Sequence, residues 1–482
     1  MKLEYATPES VNIPSEVIIN FHKRISGKSL SLHSAILYAK NRVISEVYFA
    51  PFKKDDLHRM FSIAKTVVAL TIGVLYDKKL ISLDDKIADY FPEKLPEDPD
   101  PYITELTIRN MLMMRTCHAS TTYNKFDLSS DWVGSFFTTK PTHKGGTVFH
   151  YDTGSALVLG ALVEKITGQK LWDFVRSSFK ELELSNESYL IPGGQGVSHG
   201  GSGLVSTTED ILKLGILLLN EGNIEGHQLI SKEFIKEATS CLTPNCVAAP
   251  LPSESCGYGY FIWRSERDGY VLYGLGGQLV IVDPATEMIL VTTTDTQGYA
   301  GANQIIYDAF YEEIIGVYER LKGIPTPDGN TGIKMLREFE KDAKMVTVLT
   351  EIKGSFLPSA LLEATYQIEK NPSGIEKLTI MHSLTDGYLK LHFENGSTGD
   401  IPFGFSENKE GTLPLYGDRI INSGAYIAEN TLYIRLRVIG ERVGSVHFEI
   451  YFDDKEITVY MKKIEETDFS EYNGHLQGYL CQ

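Results

Sequence analysis

A serine and a lysine three residues apart, Ser62 and Lys65 in MFSIAKTVVALTIG (60–73), stand at the head of a strongly apolar run. A serine hydroxyl is a weak nucleophile until a base takes its proton. Residues three apart share a helical face, so the amine of Lys65 can reach back to Ser62. Partial desolvation lowers a lysine pKa toward the range where the amine serves as a base. A helix N-terminus adds partial positive charge and free N–H groups, which favour a developing oxyanion. The same spacing also describes an ordinary helix start with a capping serine and a solvated lysine. Placement favours chemistry: the pair directly follows a hairpin and opens a helix that reads as buried.

The elements that must hold this pair are legible along the chain. HSAILYAKNRVISEVYFA (33–50) predicts two strands around Lys40-Asn41-Arg42, and the run from about Ser62 to Lys78 predicts a helix. SLDDKIADYFPEKLP reads as a loop and short helix, LTIRNMLMMRT (106–116) as another short helix. SALVLGALVEKITG (155–168) reads as an apolar helix stopped by Gly168. Ser206 and Glu209 are spaced as a capping box for a helix over 206–222. Residues 270–295 predict two antiparallel strands joined at Asp283-Pro284, with GYGYFIW (257–263) as the strand before them and 302–318 as a final amphipathic helix. Hairpins at both ends with helices between them predict an α+β domain, an antiparallel sheet flanked by helices, over 1–321. KGIPTPDGNTG (322–332), with two prolines and three glycines, predicts a linker, and a helical segment over 333–350 completes a connecting region, 322–353. From 354 to 482 short strands alternate with turn pairs such as Asp386-Gly387 and Asn395-Gly396, which predicts an all-β domain, a small barrel or sandwich.

Three further segments bear on the pair. GTVFHYDTGSALVLGALVEKITG (146–168) puts Tyr151 just before the apolar helix, HGGSGLVSTTEDILKLGILLLNEG (199–222) runs a glycine-rich loop into a helix, and YGLGGQLVIVDP (273–284) is a glycine-rich strand. With these, residues 5–320 resemble the serine β-lactamase and penicillin-binding-protein superfamily, in the class C β-lactamase-like branch that includes esterases, D-aminopeptidases and nylon-oligomer hydrolases. The resemblance implies that Ser62 is the acylated nucleophile, Lys65 its general base, and Tyr151 the group that passes a proton to the leaving group. Such a phenol needs ammonium groups nearby for its pKa to fall. It implies too that Gly276, Gly277 and Gln278 form the substrate strand, where an N–H of Gly277 or Gln278 joins that of Ser62 as an oxyanion hole. Departures are clear. Tyr-Asp-Thr (151–153) replaces Tyr-x-Asn, leaving Thr153 as a partial substitute; Gly274 stands where the family often has Lys or His; RTCHAS replaces Thr-Ser-Gly. They argue against hydrolysis of carboxylate-bearing antibiotics and leave ester or amide hydrolysis untouched. Tyr258 and Tyr260 are candidate substrate contacts, as are Trp132 and Trp263, although aromatics equally fill cores. His118, His143 and His199 lie in the same segments. His150 is expected to turn away from Tyr151 and serve structure.

Composition narrows the partners. A formal net charge of −17 without any Lys/Arg cluster argues against nucleic acid and anionic membranes. There is no run of about 18 apolar residues for a membrane-spanning helix. The first residues lack a basic segment followed by an apolar one, so a cytoplasmic protein is expected. Five cysteines, three of them clustered as Cys241, Cys246 and Cys256 without zinc spacing, suit reduced thiols and no metal. No cofactor is implied. The expected activity is hydrolysis of a small ester or amide, D-residue peptides included. Two rivals stay open: a β-lactamase or DD-peptidase proper, and a catalytically idle binding or scaffold protein.

Overall fold

A computed structural model describes residues 1–28, 30–324, 330–465 and 468–481. Its central sheet contains β1 (Leu32–Ala39), β2 (Arg42–Tyr48), β3 (Trp263–Arg264), β4 (Tyr270–Gly274), β5 (Gln278–Asp283) and β6 (Met288–Thr294). The order is β2-β1-β6-β5-β4-β3, every pair antiparallel. Strands β1, β5 and β6 are buried along their whole length, so they read as continuous apolar runs and not as alternating ones. Both faces are covered. A Cβ built on Gly215 of helix Thr208–Leu219 would lie 2.7 Å from Val280 on one face. Ala35, Leu37 and Leu290, on the other, face Ile18, Phe21 and Ile314.

Several elements differ from expectation. Residues 270–294 form three strands, because Gly276 and Gly277, at φ +82° and +86°, turn the chain back between β4 and β5. The stretch 257–263 is mostly irregular, with Phe261 at φ +54° and only Trp263–Arg264 in the sheet. The expected capping box gives way to a single cap one residue on: Ser206 ends strand Leu204–Ser206, and Thr207 caps the helix by accepting from the Asp210 N–H at 3.2 Å. Glu209 pairs instead with Lys213 and Lys54. The final amphipathic helix contains a π-helical segment, Ala309–Ile315.

Of the linker candidate, residues 325–329 lie outside the described residues. Beyond it the helical segment divides into Asn330–Asp342, which lays Phe339 on His22, and a short turn, Val348–Glu351. The C-terminal strands form a closed nine-stranded barrel and not a sandwich. Its ring runs from Leu362–Ile368 through Ile375–His382, Asp386–Phe393, Thr398–Gly404, Arg419–Ala428, Thr431–Ile439, Gly444–Asp453 and Glu456–Ile464 to Gly474–Leu480, which pairs back on the first. The ring closes where Gly404 pairs with Ser423 in parallel, and Asn422 Nδ2 donates to the Pro402 carbonyl beside it. The barrel has its own core, and a small cluster of Phe52, Met345, Ile421 and Ile439 joins it to the first.

Candidate active site

The short strand His58–Phe61 pairs with Leu204–Ser206, then turns at Phe61, φ +45°, to deliver Ser62 to the start of helix α1 (Ile63–Asp77). All of this helix from Ile63 to Leu75 is buried, including Lys65, which is 1% exposed. Its Nζ lies 2.8 Å from Ser62 Oγ and donates to the carbonyl of Gly201 at 2.5 Å. It also sits 4.8 Å from the centre of the Tyr151 ring. Burial pushes the Lys65 amine down to about 7, against a smaller opposing pull from Asp152. A neutral amine here has a lone pair to offer Ser62 while an N–H stays anchored on Gly201. That is the requirement for a base.

Tyr151 comes from the turn preceding helix α2 (Thr153–Thr167). Its ring stacks on Trp263 at 5.5 Å between centroids and meets Tyr258 edge-on at 6.4 Å. Burial in this aromatic nest pushes the phenol pKa up, outweighing a hydrogen bond with Ser62 that lowers it. Passing a proton asks for a lowered phenol; burial works in the other direction here, with the Lys65 amine over the face of the ring. Tyr151 therefore keeps its proton and stays linked to Ser62.

Gly274, at the end of β4, explains one departure from the family pattern. A Cβ there would lie 2.3 Å from the carbonyl oxygen of Met60 and 2.8 Å from Gln278 Cβ. No side chain fits, and the close approach brings the end of β4 beside the residues leading to Ser62. Gly276 and Gly277 make the adjoining turn, with a Cβ on Gly277 only 2.4 Å from Thr294 Cγ2. The side chain of Gln278 is committed to structure, donating to Leu275 and Thr294 carbonyls and accepting from the Thr294 N–H. Thr153 packs against Gly201, the residue whose carbonyl holds Lys65, and its N–H donates to Thr121 Oγ1. Tyr260 lies apart from this group, its hydroxyl held by Arg109 and its ring on Phe234. His118 is tied to the Thr139 carbonyl and His143 to Thr142. The N–H of His150 donates to Met114 O. His199, packed edge-on against Tyr123 and Trp132, is pushed down to about 3 by burial and the nearby Arg59 and Lys65.

Two participants escaped the sequence argument. Asp152 caps α2 by accepting from the Gly154 N–H at 2.8 Å and takes a hydrogen bond from Thr116 at 3.0 Å. It is fully buried, and burial raises its carboxyl to about 6, with Lys65 pulling the other way. An Asp directly before an apolar helix is a capping signal, which was available in the sequence. The Gly201 carbonyl, 136 residues from Lys65, carries no such signal.

With this geometry in view, the comparisons are direct. The model of the family described as Beta-lactamase matches residues 31–309. The chain belongs to the Beta-lactamase family. A 6-aminohexanoate-dimer hydrolase of Paenarthrobacter ureafaciens is 21% identical over 278 residues, 52% of this chain and 69% of the relative. An uncharacterised protein of Alkalihalophilus pseudofirmus is 22% identical over 320 residues, 58% of this chain and 89% of its own. Among solved structures, a penicillin-binding protein homologue from Caulobacter crescentus shares the fold, with a TM-score of 0.51, 15% identity, and coverage of 65% of this chain and 99% of that one. The family and its hydrolase-named relative support a hydrolase. No described helix is long and apolar enough to cross a membrane.

Proposed function

We propose that this Beta-lactamase family member is a serine hydrolase that cleaves a small ester or amide through an acyl-enzyme on Ser62. The observation that carries the reading is the buried Lys65 amine, 2.8 Å from Ser62 Oγ and pushed down to about 7. Ser62 Oγ attacks the substrate carbonyl carbon as its proton passes to Lys65 Nζ. The carbonyl electrons move onto oxygen, where the Ser62 N–H and the Gly276–Gly277 turn stand as candidate donors. Collapse expels the amine or alcohol, which takes a proton through Tyr151, itself replenished from Lys65. Water then attacks the acyl-Ser62 ester with Lys65 again as base, releasing the acid and restoring the hydroxyl.

The tight fit around Gly274 leaves no room for a side-chain cation at that position, which argues against a β-lactam carboxylate held there. The relative named for 6-aminohexanoate-dimer hydrolysis supports amides as well as esters as substrates. A short-chain nitrophenyl ester assay, run with Ser62→Ala alongside, tests the proposal. Loss of a nucleophile of this kind costs about 10⁶ in turnover. An unchanged rate in Ser62→Ala overturns the mechanism.

A further inference from the structure

Between the two domains lies a cavity of about 360 Å³ that is separate from the Ser62 cluster. Lys28 and Asp295 line it from the first domain, Arg435, Arg437 and His447 from adjacent barrel strands, and Glu351 from the connecting segment. Glu351 bridges the two guanidinium groups, with oxygens 2.5 Å from Arg435 Nη1 and 3.0 Å from Arg437 Nη2. One carboxylate does not satisfy two arginines. Among the described residues, Arg435 Nε and Arg437 Nη1 are buried with no hydrogen-bond partner, and Arg437 is only 4% exposed. An unpaired buried N–H costs free energy, more so when it carries charge.

The charges do not balance either. Asp295, the second acid, is occupied by the backbone and side chain of Gln297. Three cations, Lys28, Arg435 and Arg437, thus face two acids, an excess of one positive charge. His447 adds none: burial and both arginines push it down to about 3, and its ring nitrogens are held by Tyr433 and Ser445. Guanidinium forks match carboxylate and phosphate oxygens in shape as well as charge. At about 30 Å³ per water, the cavity holds about a dozen waters, which suits a small organic molecule better than a bare ion.

We infer that this interdomain cavity is a binding site for a small organic oxyanion, a carboxylate or phosphate ester, held by the guanidinium groups of Arg435 and Arg437 with Lys28 beside them. The inference does not rest on the catalytic proposal. Isothermal titration of the full chain with inorganic phosphate, glycerol 3-phosphate and succinate, at constant ionic strength set with chloride, tests it. Saturable binding of one molecule per chain is expected for at least one probe, and the contrast between succinate and the phosphates assigns the ligand class. Glu351→Gln removes the competing carboxylate and is expected to tighten that binding several-fold. Arg437→Gln is expected to abolish it. Lys28→Glu, on an exposed residue that cannot disturb the core, is expected to weaken it. Absence of saturable binding in both wild type and Glu351→Gln overturns the inference. So does binding that survives unchanged in Arg437→Gln and Lys28→Glu, which would put the anion elsewhere.

Discussion

Replacing Lys65 with methionine, close in length and without charge, should abolish turnover while removing a pH-dependent stability penalty. The amine titrates at an ordinary 10.5 in the unfolded chain and at about 7 in the folded one. At 1.36 kcal/mol per pH unit the difference amounts to about 5 kcal/mol. Its sign follows from proton counts. Below about pH 7 both states carry the proton, and folding bears the full cost of burying it. Between about 7 and 10.5 the unfolded chain binds more protons, so stability rises with pH. From about pH 7 to about pH 9 the rise is about 2 kcal/mol, a window in which Asp152 stays ionised. Lys65→Met has nothing to titrate and should lack that rise. All three tryptophans, Trp132, Trp172 and Trp263, lie in the first domain, so their fluorescence in urea titrations reports its unfolding separately from the barrel. The stability advantage of Lys65→Met over wild type should therefore shrink by about 2 kcal/mol between the two pH values. Parallel pH dependences would refute the claim that Lys65 is neutral in the working enzyme.

Other substitutions probe the surrounding groups. Tyr151→Phe keeps the stack on Trp263 but removes the hydroxyl, and should lower kcat on nitrophenyl esters by about 10²–10⁴, the range of general acid–base catalysis. Asp152→Asn removes the charge that raises the Lys65 pKa, so the inflection of kcat/KM against pH should move to lower pH. An inflection that stays fixed or moves upward contradicts that coupling. Gly274→Val forces atoms into the Met60 carbonyl, and should destabilise the first domain by about 1–3 kcal/mol and lower kcat, read by urea denaturation and the ester assay.

What the sequence made legible was local. Ser62 and Lys65 could be paired because three residues span one helical turn, and the hairpin before them follows from two β-rich runs around Lys40-Asn41-Arg42. The partners that tune the pair were not legible, because they arrive from distant segments: the Gly201 carbonyl fixes the amine, and Asp152 brings a carboxylate whose local role is to cap the helix Thr153–Thr167. Gly276 and Gly277 lie within a run that reads as one strand, and their positive φ makes them a turn that splits it into two. In an extended strand Tyr258 and Tyr260 would share a face; the backbone here is irregular, with Phe261 at positive φ, and the Tyr260 hydroxyl meets Arg109 instead. Barrel closure between the strands of Gly404 and Ser423 leaves no local pattern at all.

The central claim is that Ser62 is the acylated nucleophile. Incubation with a fluorophosphonate probe followed by peptide mass spectrometry tests it most directly. One adduct per chain is expected, on Ser62, lost in Ser62→Ala and strongly slowed in Lys65→Met. An adduct on any other residue, or undiminished labelling of Ser62→Ala, would contradict it.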